Sequence, residues 1–98
     1  MNYRVRIRSS VSARIMSWQL SDSMLVEVYL RLREHLAQSP ATHLRRVRHP
    51  YDGLVYEFSM VDPQNRLCEH FFIFLVMYGQ DEETLILTNA GYVRRVGI

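Results

Sequence analysis

Eleven residues, "CEHFFIFLVMY" at 68–78, constrain this chain more than any other stretch. Alternation along an extended backbone puts Phe72, Phe74 and Val76 on one side and Phe71, Ile73, Leu75 and Met77 on the other. A strand apolar on both sides is expected at the centre of a sheet, covered above and below. The run is far shorter than the roughly 20 apolar residues that a membrane-spanning helix needs. His70 falls on the side of Phe72 and Phe74, where a hydrogen-bonded core or edge histidine is expected.

The elements around this strand follow from periodicity. "NYRVRIR" alternates Tyr3, Val5 and Ile7 against Arg4, Arg6 and Arg8, a half-buried strand. "SSVSARIMSWQL" offers serine caps and places Val11, Ile15 and Trp18 at helical spacing. A longer helix starts at Ser21 or Asp22, aligns Leu25, Val28, Tyr29, Leu32 and Leu36 in one stripe, and stops at Pro40. Glu27 and Arg31, like Arg31 and His35, sit one helical turn apart, as on a solvated face. Beyond Pro40 every segment reads as strand or turn. "HLRRVRH" is a short strand or connector closed by the turn "PYDG", and "LVYEFSMV" (54–61) is a strand. "DPQNR" (62–66) turns into the central strand, "GQDEE" (79–83) turns out of it, and "TLILTNA" (84–90) is the last strand. "GYVRRVGI" is expected to be an exposed tail. Helices and strands segregated in this way give an α+β fold: an N-terminal strand, a two-helix hairpin, and an antiparallel meander. They form one sheet with the helices on one face. Residues 1–98 are read as a single domain, since 98 residues support one core.

Charge is uneven along the chain. Residues 1–50 carry nine arginines against Asp22, Glu27 and Glu34, a balance of +6; residues 51–93 carry Arg66 against seven carboxylates, a balance of −6. The split suggests a basic face and an acidic face. All twelve basic residues are arginine. Arginine forks bind phosphates bidentately and stack on bases, which suits nucleic acid; a G+C-rich genome favours the same residue through its codons. The rows Arg4/Arg6/Arg8, Arg45/Arg46/Arg48 and Arg94/Arg95 would make a phosphate-binding groove if their strands adjoin, and solvated sheet faces if they do not. Tyr51, Tyr56, Tyr78 and Tyr92 are candidate base-stacking partners, with Tyr92 singled out by the adjacent arginines.

Motifs for nucleotide-cofactor loops, zinc fingers, zinc proteases and serine nucleophiles are absent, so no cofactor and no metal is expected. The single Cys68 fits a reducing compartment, and the reading it invites is a small buried apolar side chain. Asp81, Glu82 and Glu83 read as a solubilised hairpin turn rather than a cation site. The N-terminus has arginines without an apolar signal segment, so a cytoplasmic location is expected.

With these elements in order, the chain resembles the RelE/ParE toxin superfamily of bacterial type II toxin–antitoxin modules. The resemblance spans nearly the whole chain and rests on "YRVRI", the helical hairpin, "VYEFSMVD", "CEHFFIFLV" and "LILTNAGYVRR". It implies a toxin held inactive by a cognate antitoxin protein, and in the RelE branch a ribosome-dependent mRNA endonuclease. There a ribose 2′-hydroxyl attacks the adjacent phosphate, helped by a base, an acid and cations. By position, Tyr92 matches the terminal acid or base and Arg94 the terminal cation; Arg45, Arg46, Arg48 and Arg95 match RNA-binding positions. The chain departs from the pattern at Phe71, where the family carries an arginine after "EH", and at Glu57, where an arginine is common. His70 is a substitute proton-transfer group, since histidine titrates near neutrality. The ParE branch, which acts on DNA gyrase without cutting RNA, and a non-toxic binding module are the other functions such a chain supports.

Overall fold

The computed structural model of the chain describes residues 2–48 and 53–97. Strand β1 (Arg4–Ile7) leads into helix α1 (Ser9–Ser17) and helix α2 (Asp22–Leu30). Ser21 caps α2, its hydroxyl accepting from the backbone N–H of Met24 at 3.4 Å. The helix continues through a π-helical turn at Arg31–His35 into α3 (Leu36–Gln38), and Pro40 opens a last short helix, α4 (Pro40–His43). Strands β2 (Arg45–Val47), β3 (Gly53–Asp62), β4 (Asn65–Tyr78) and β5 (Thr84–Val96) complete the chain. The expected turn "PYDG", with Tyr51, lies outside the described residues apart from Gly53. No helix among them is long and apolar enough to cross a membrane.

The five strands lie in the order β1-β5-β4-β3-β2. The three pairs from β2 to β5 are antiparallel, and β1 runs parallel to β5, with Arg4 opposite Thr84 and Ile7 opposite Leu87. Both long helical segments pack on one face. Val11 and Ile15 of α1, with Met24, Val28, Leu32 and Leu36 of the second helix, bury against Phe72, Phe74, Val76, Leu85 and Leu87. The stripe expected from the sequence is that core face. Each fully buried phenylalanine contributes about 1.5–3 kcal/mol by leaving water, and Phe72 also stacks on Phe58 at 5.1 Å between ring centres.

Four expectations are corrected. The second side of β4 is not covered: Ile73 is 40% and Met77 46% exposed, because both helical layers are used on the other face. "GYVRR" is no tail but the second half of β5, with Phe72 opposite Tyr92, His70 opposite Arg94 and Cys68 opposite Val96. The basic and acidic halves do not form opposite faces. β1 pairs with β5 and β2 with β3, so Arg4 meets Asp81 at 3.1 Å and Arg45 meets Glu57. Nor do the three arginine rows converge on one groove, since β1 and β2 are the two edges of the sheet. Four strand spacings separate them, roughly 19 Å.

Candidate functional site

The register of the sheet sets the site. On the helix-covered face, the row Phe58–Phe72–Tyr92 is followed by the row Met60–His70–Arg94. The next position brings Cys68 from β4 and Asp62 from the end of β3. Asp62 opens the β3–β4 turn: its Oδ1 accepts from the backbone N–H of Gln64 at 2.8 Å, and Asn65 Oδ1 accepts from that of Leu67 at 3.0 Å. A register shift at Val61/Asp62 takes the carboxylate out of the regular ladder. Its Oδ2 then reaches His70 Nε2 at 2.8 Å.

His70 is 4% exposed and has both ring nitrogens partnered. Nδ1 lies 2.5 Å from Tyr92 Oη, and Nε2 faces Asp62 with Cys68 Sγ 3.7 Å away. An ionised carboxylate only accepts, so Nε2 carries the proton donated to Asp62, and Nδ1 is left to accept from the Tyr92 hydroxyl. The result is a carboxylate–imidazole–phenol chain running from the hairpin turn into the sheet. The Gln64 backbone N–H, followed by the His70 hydrogen bond, holds the Asp62 carboxyl below the usual carboxylate range. Partial burial pushes the Tyr92 phenol above its ordinary value, opposed by the nearby Arg94.

The α1–α2 connection roofs this chain. Trp18 stacks on Tyr92, with ring centres 5.2 Å apart and planes at 27°. The adoption of positive φ by Gln19, at 55°, turns the backbone sharply after the indole. A cleft of about 200 Å³ remains between the roof and the sheet, lined by Trp18, Leu20, Asp62, His70, Tyr92 and Arg94 among others. Arg94 is exposed at its rim.

The structure thus brings together Tyr92, Arg94 and His70 among the residues singled out in the sequence. Arg95 is next in the chain but opposes Glu69 on the open face of the sheet. Arg45 opposes Val55, whereas His70 opposes Met60. Five strand residues, roughly 17 Å, lie between those positions. Arg45 and Arg46 therefore belong to a second region at the far end of β3, with Arg48 just beyond β2. Tyr56 is buried in the core, and Tyr78 packs edge-on against Tyr3 at 5.9 Å. Asp62 was missed by sequence reasoning; the signal for it was the Asx-type turn "DPQN" facing a histidine on the same strand side.

A second concavity, of about 540 Å³, crosses the open face and is lined by Val47, Val55, Ile73, Leu75, Gly91 and Arg45 among others. Its floor is apolar, and the exposed Val93 (63%) lines a neighbouring concavity that shares Ile73 with it. Apolar surface of this kind, bordered by arginines, is a usual mark of a protein interface. As for metals, Asp62, Cys68 and His70 are the three side chains whose ligating atoms cluster among the described residues.

No protein-family model matches the chain, and no curated protein matches it in sequence. Among solved structures it is similar to a chain of the toxin–antitoxin complex RelBE2 from Mycobacterium tuberculosis. The TM-score is 0.65 over 95% of this chain and 100% of that one, at 15% sequence identity. The fold is RelE-like, as the order of elements in the sequence implied.

Proposed function

We propose that the chain is the toxin of a bacterial toxin–antitoxin module and that it cleaves mRNA on the ribosome at the Tyr92 cleft. The RelE-like fold supports the first part, since the similar solved chain belongs to a toxin–antitoxin complex. The observation that carries the second is the hydrogen-bonded chain Asp62–His70–Tyr92 with Arg94 at its mouth.

The chemistry follows from where protons can go. Tyr92 Oη takes the proton of a ribose 2′-hydroxyl as its own proton passes to His70 Nδ1. The imidazolium so formed is held by the Asp62 carboxylate, already 2.8 Å from Nε2. The 2′-oxygen then attacks the adjacent phosphorus in line, and the bond to the leaving 5′-oxygen breaks. Arg94 neutralises the charge gathering on the phosphoryl oxygens, a contribution of a few kcal/mol to the barrier. The leaving oxygen takes its proton from water at the open side of the cleft. Trp18, stacked on Tyr92 and only partly buried, would stack a neighbouring base. The arginines of β2 act at a distance as positioning contacts to RNA backbone rather than as part of the reaction centre. The open apolar face is suited to an antitoxin segment, which would silence the toxin.

Phe71 favours a second reading. It stands where the family carries an arginine, and among the described residues lining the cleft Arg94 is the one cation. A gyrase-directed toxin needs no phosphoryl stabilisation and tolerates that replacement. Controlled expression in bacteria with primer extension on a reporter mRNA separates the possibilities. Growth arrest with codon-positioned cuts is the expected result. Arrest with intact mRNA and damaged replication selects the gyrase branch, and no arrest selects a non-toxic binding module.

A further inference from the structure

We propose that Asp62, Cys68 and His70 form a binding site for a single thiophilic divalent cation, zinc being the best match. The reaction above uses both nitrogens of His70, Nδ1 toward Tyr92 and Nε2 toward Asp62, so the metal-bound form is one in which that relay is blocked. The reaction leaves Cys68 without a role, yet the thiol is 1% exposed and aimed at the same imidazole. Three different ligating atoms, a thiol sulfur, an imidazole nitrogen and a carboxylate oxygen, lie within 4.8 Å of one another.

The spacing suits tetrahedral coordination. Zinc bonds of about 2.3 Å to sulfur and about 2.0–2.1 Å to nitrogen put those two atoms about 3.6 Å apart. Cys68 Sγ and His70 Nε2 are 3.7 Å apart. The Asp62 oxygen, now 2.8 Å from Nε2 in a hydrogen bond, has to withdraw by about half an ångström to share a metal. Its side chain is 25% exposed at a hairpin turn, where such a shift is cheap. Cys68 and His70 are two residues apart on β4, so the strand holds both ligands on one side whether or not a metal is bound.

The supporting contacts are also in place. Tyr92 Oη at 2.5 Å receives the Nδ1 proton once Nε2 is a ligand, which fixes the ring orientation. The Gln64 backbone N–H holds the other Asp62 oxygen at 2.8 Å. Asp62, Pro63 and Gln64 line the cleft, so the ion has an access route and a fourth position open to water. On binding, Cys68 loses its proton to solvent and the imidazole proton moves from Nε2 to Nδ1. One proton is therefore released per ion, and the thiolate and carboxylate neutralise the divalent charge.

Cobalt reports such a site directly, and with one cysteine in the chain a thiolate signal has a single origin. The reduced, chelator-treated full-length protein is titrated with Co2+ and then Zn2+. The expected result is one Co2+ per chain, a thiolate-to-cobalt charge-transfer band, the absorption of four-coordinate cobalt, and loss of both on adding Zn2+. Cys68→Ala abolishes the charge-transfer band, Asp62→Asn weakens binding, and Tyr92→Phe weakens it about 10–100-fold. Absence of the band in folded, reduced wild-type protein overturns the proposal, as does Asp62→Asn protein that binds as tightly as wild type. Circular dichroism establishes folding of each variant; should Cys68→Ala not fold, the wild-type spectrum and Asp62→Asn decide. None of these readouts depends on toxicity, so the site stands or falls apart from the RNA-cleaving role.

Discussion

Tyr92 Oη and His70 Nδ1 lie 2.5 Å apart across neighbouring strands, two residues out of direct register and so diagonal neighbours on one face. The phenol has no other protein hydrogen-bond partner among those described, and the histidine is fixed from behind by Asp62. Removing the hydroxyl isolates Nδ1 without altering the packing of the ring on Trp18. Tyr92→Phe is therefore expected to abolish growth arrest while costing only about 1 kcal/mol of stability. Plating on inducing medium, with urea unfolding of the purified variant, checks both halves.

Arg94→Ala tests the electrostatic part alone. The side chain is exposed at the cleft rim, so stability should change by less than about 0.5 kcal/mol. Binding to a short RNA, followed by fluorescence of the single Trp18, should weaken and lose about one unit of its salt slope. An unchanged slope would place the phosphate contact elsewhere.

Phe74 is fully buried and packs against Phe58 and Trp18, so Phe74→Ala should cost about 3–5 kcal/mol. On the other side of the same strand, Ile73→Arg should cost little stability and instead impair capture of the proposed antitoxin. Urea midpoints and co-purification with the antitoxin distinguish the two sides of β4.

Acid should loosen the β4–β5 turn. Asp81 accepts from the backbone N–H groups of Glu83 and Thr84 and from the Thr84 hydroxyl, with Arg4 alongside. The Glu83 N–H first, with the Thr84 hydroxyl and N–H and then Arg4, lowers its carboxyl below the usual range. A depressed folded value means the stabilisation is whole above the ordinary aspartate value near ~3.9 and is lost as pH falls through the folded one. Asp81→Asn should flatten that acid limb, read by urea unfolding between neutral and acidic pH.

How far the sequence reaches depends on the range over which its pattern acts. Alternation along 68–78 located the central strand and put His70 beside Phe72 because side-chain direction in a strand is a local property. The stripe Val28, Leu32 and Leu36 was equally local. What stayed hidden depended on partners distant in the chain. Nothing near Arg4 says that its neighbour is Thr84, and without that pairing the arginine rows looked as though they could adjoin. Asp62 read as a turn residue because its role arises only when the hairpin folds it back toward His70. The bare second side of β4 was hidden too, since a strand pattern records apolar side chains but not how many helices are available to cover them.

The parallel pairing of β1 with β5 has a consequence for when the molecule can act. The partner of β1 in the sheet is β5, some eighty residues on, so a chain still lacking residues 84–96 leaves β1 unpaired and the core open on Leu85 and Leu87. Such long-range closure is slow and comes late. Tyr92 and Arg94 travel on that same strand, so the proposed reaction centre is assembled by the step that closes the sheet. A chain in which β5 has not joined the sheet lacks both the closed core and the proposed site.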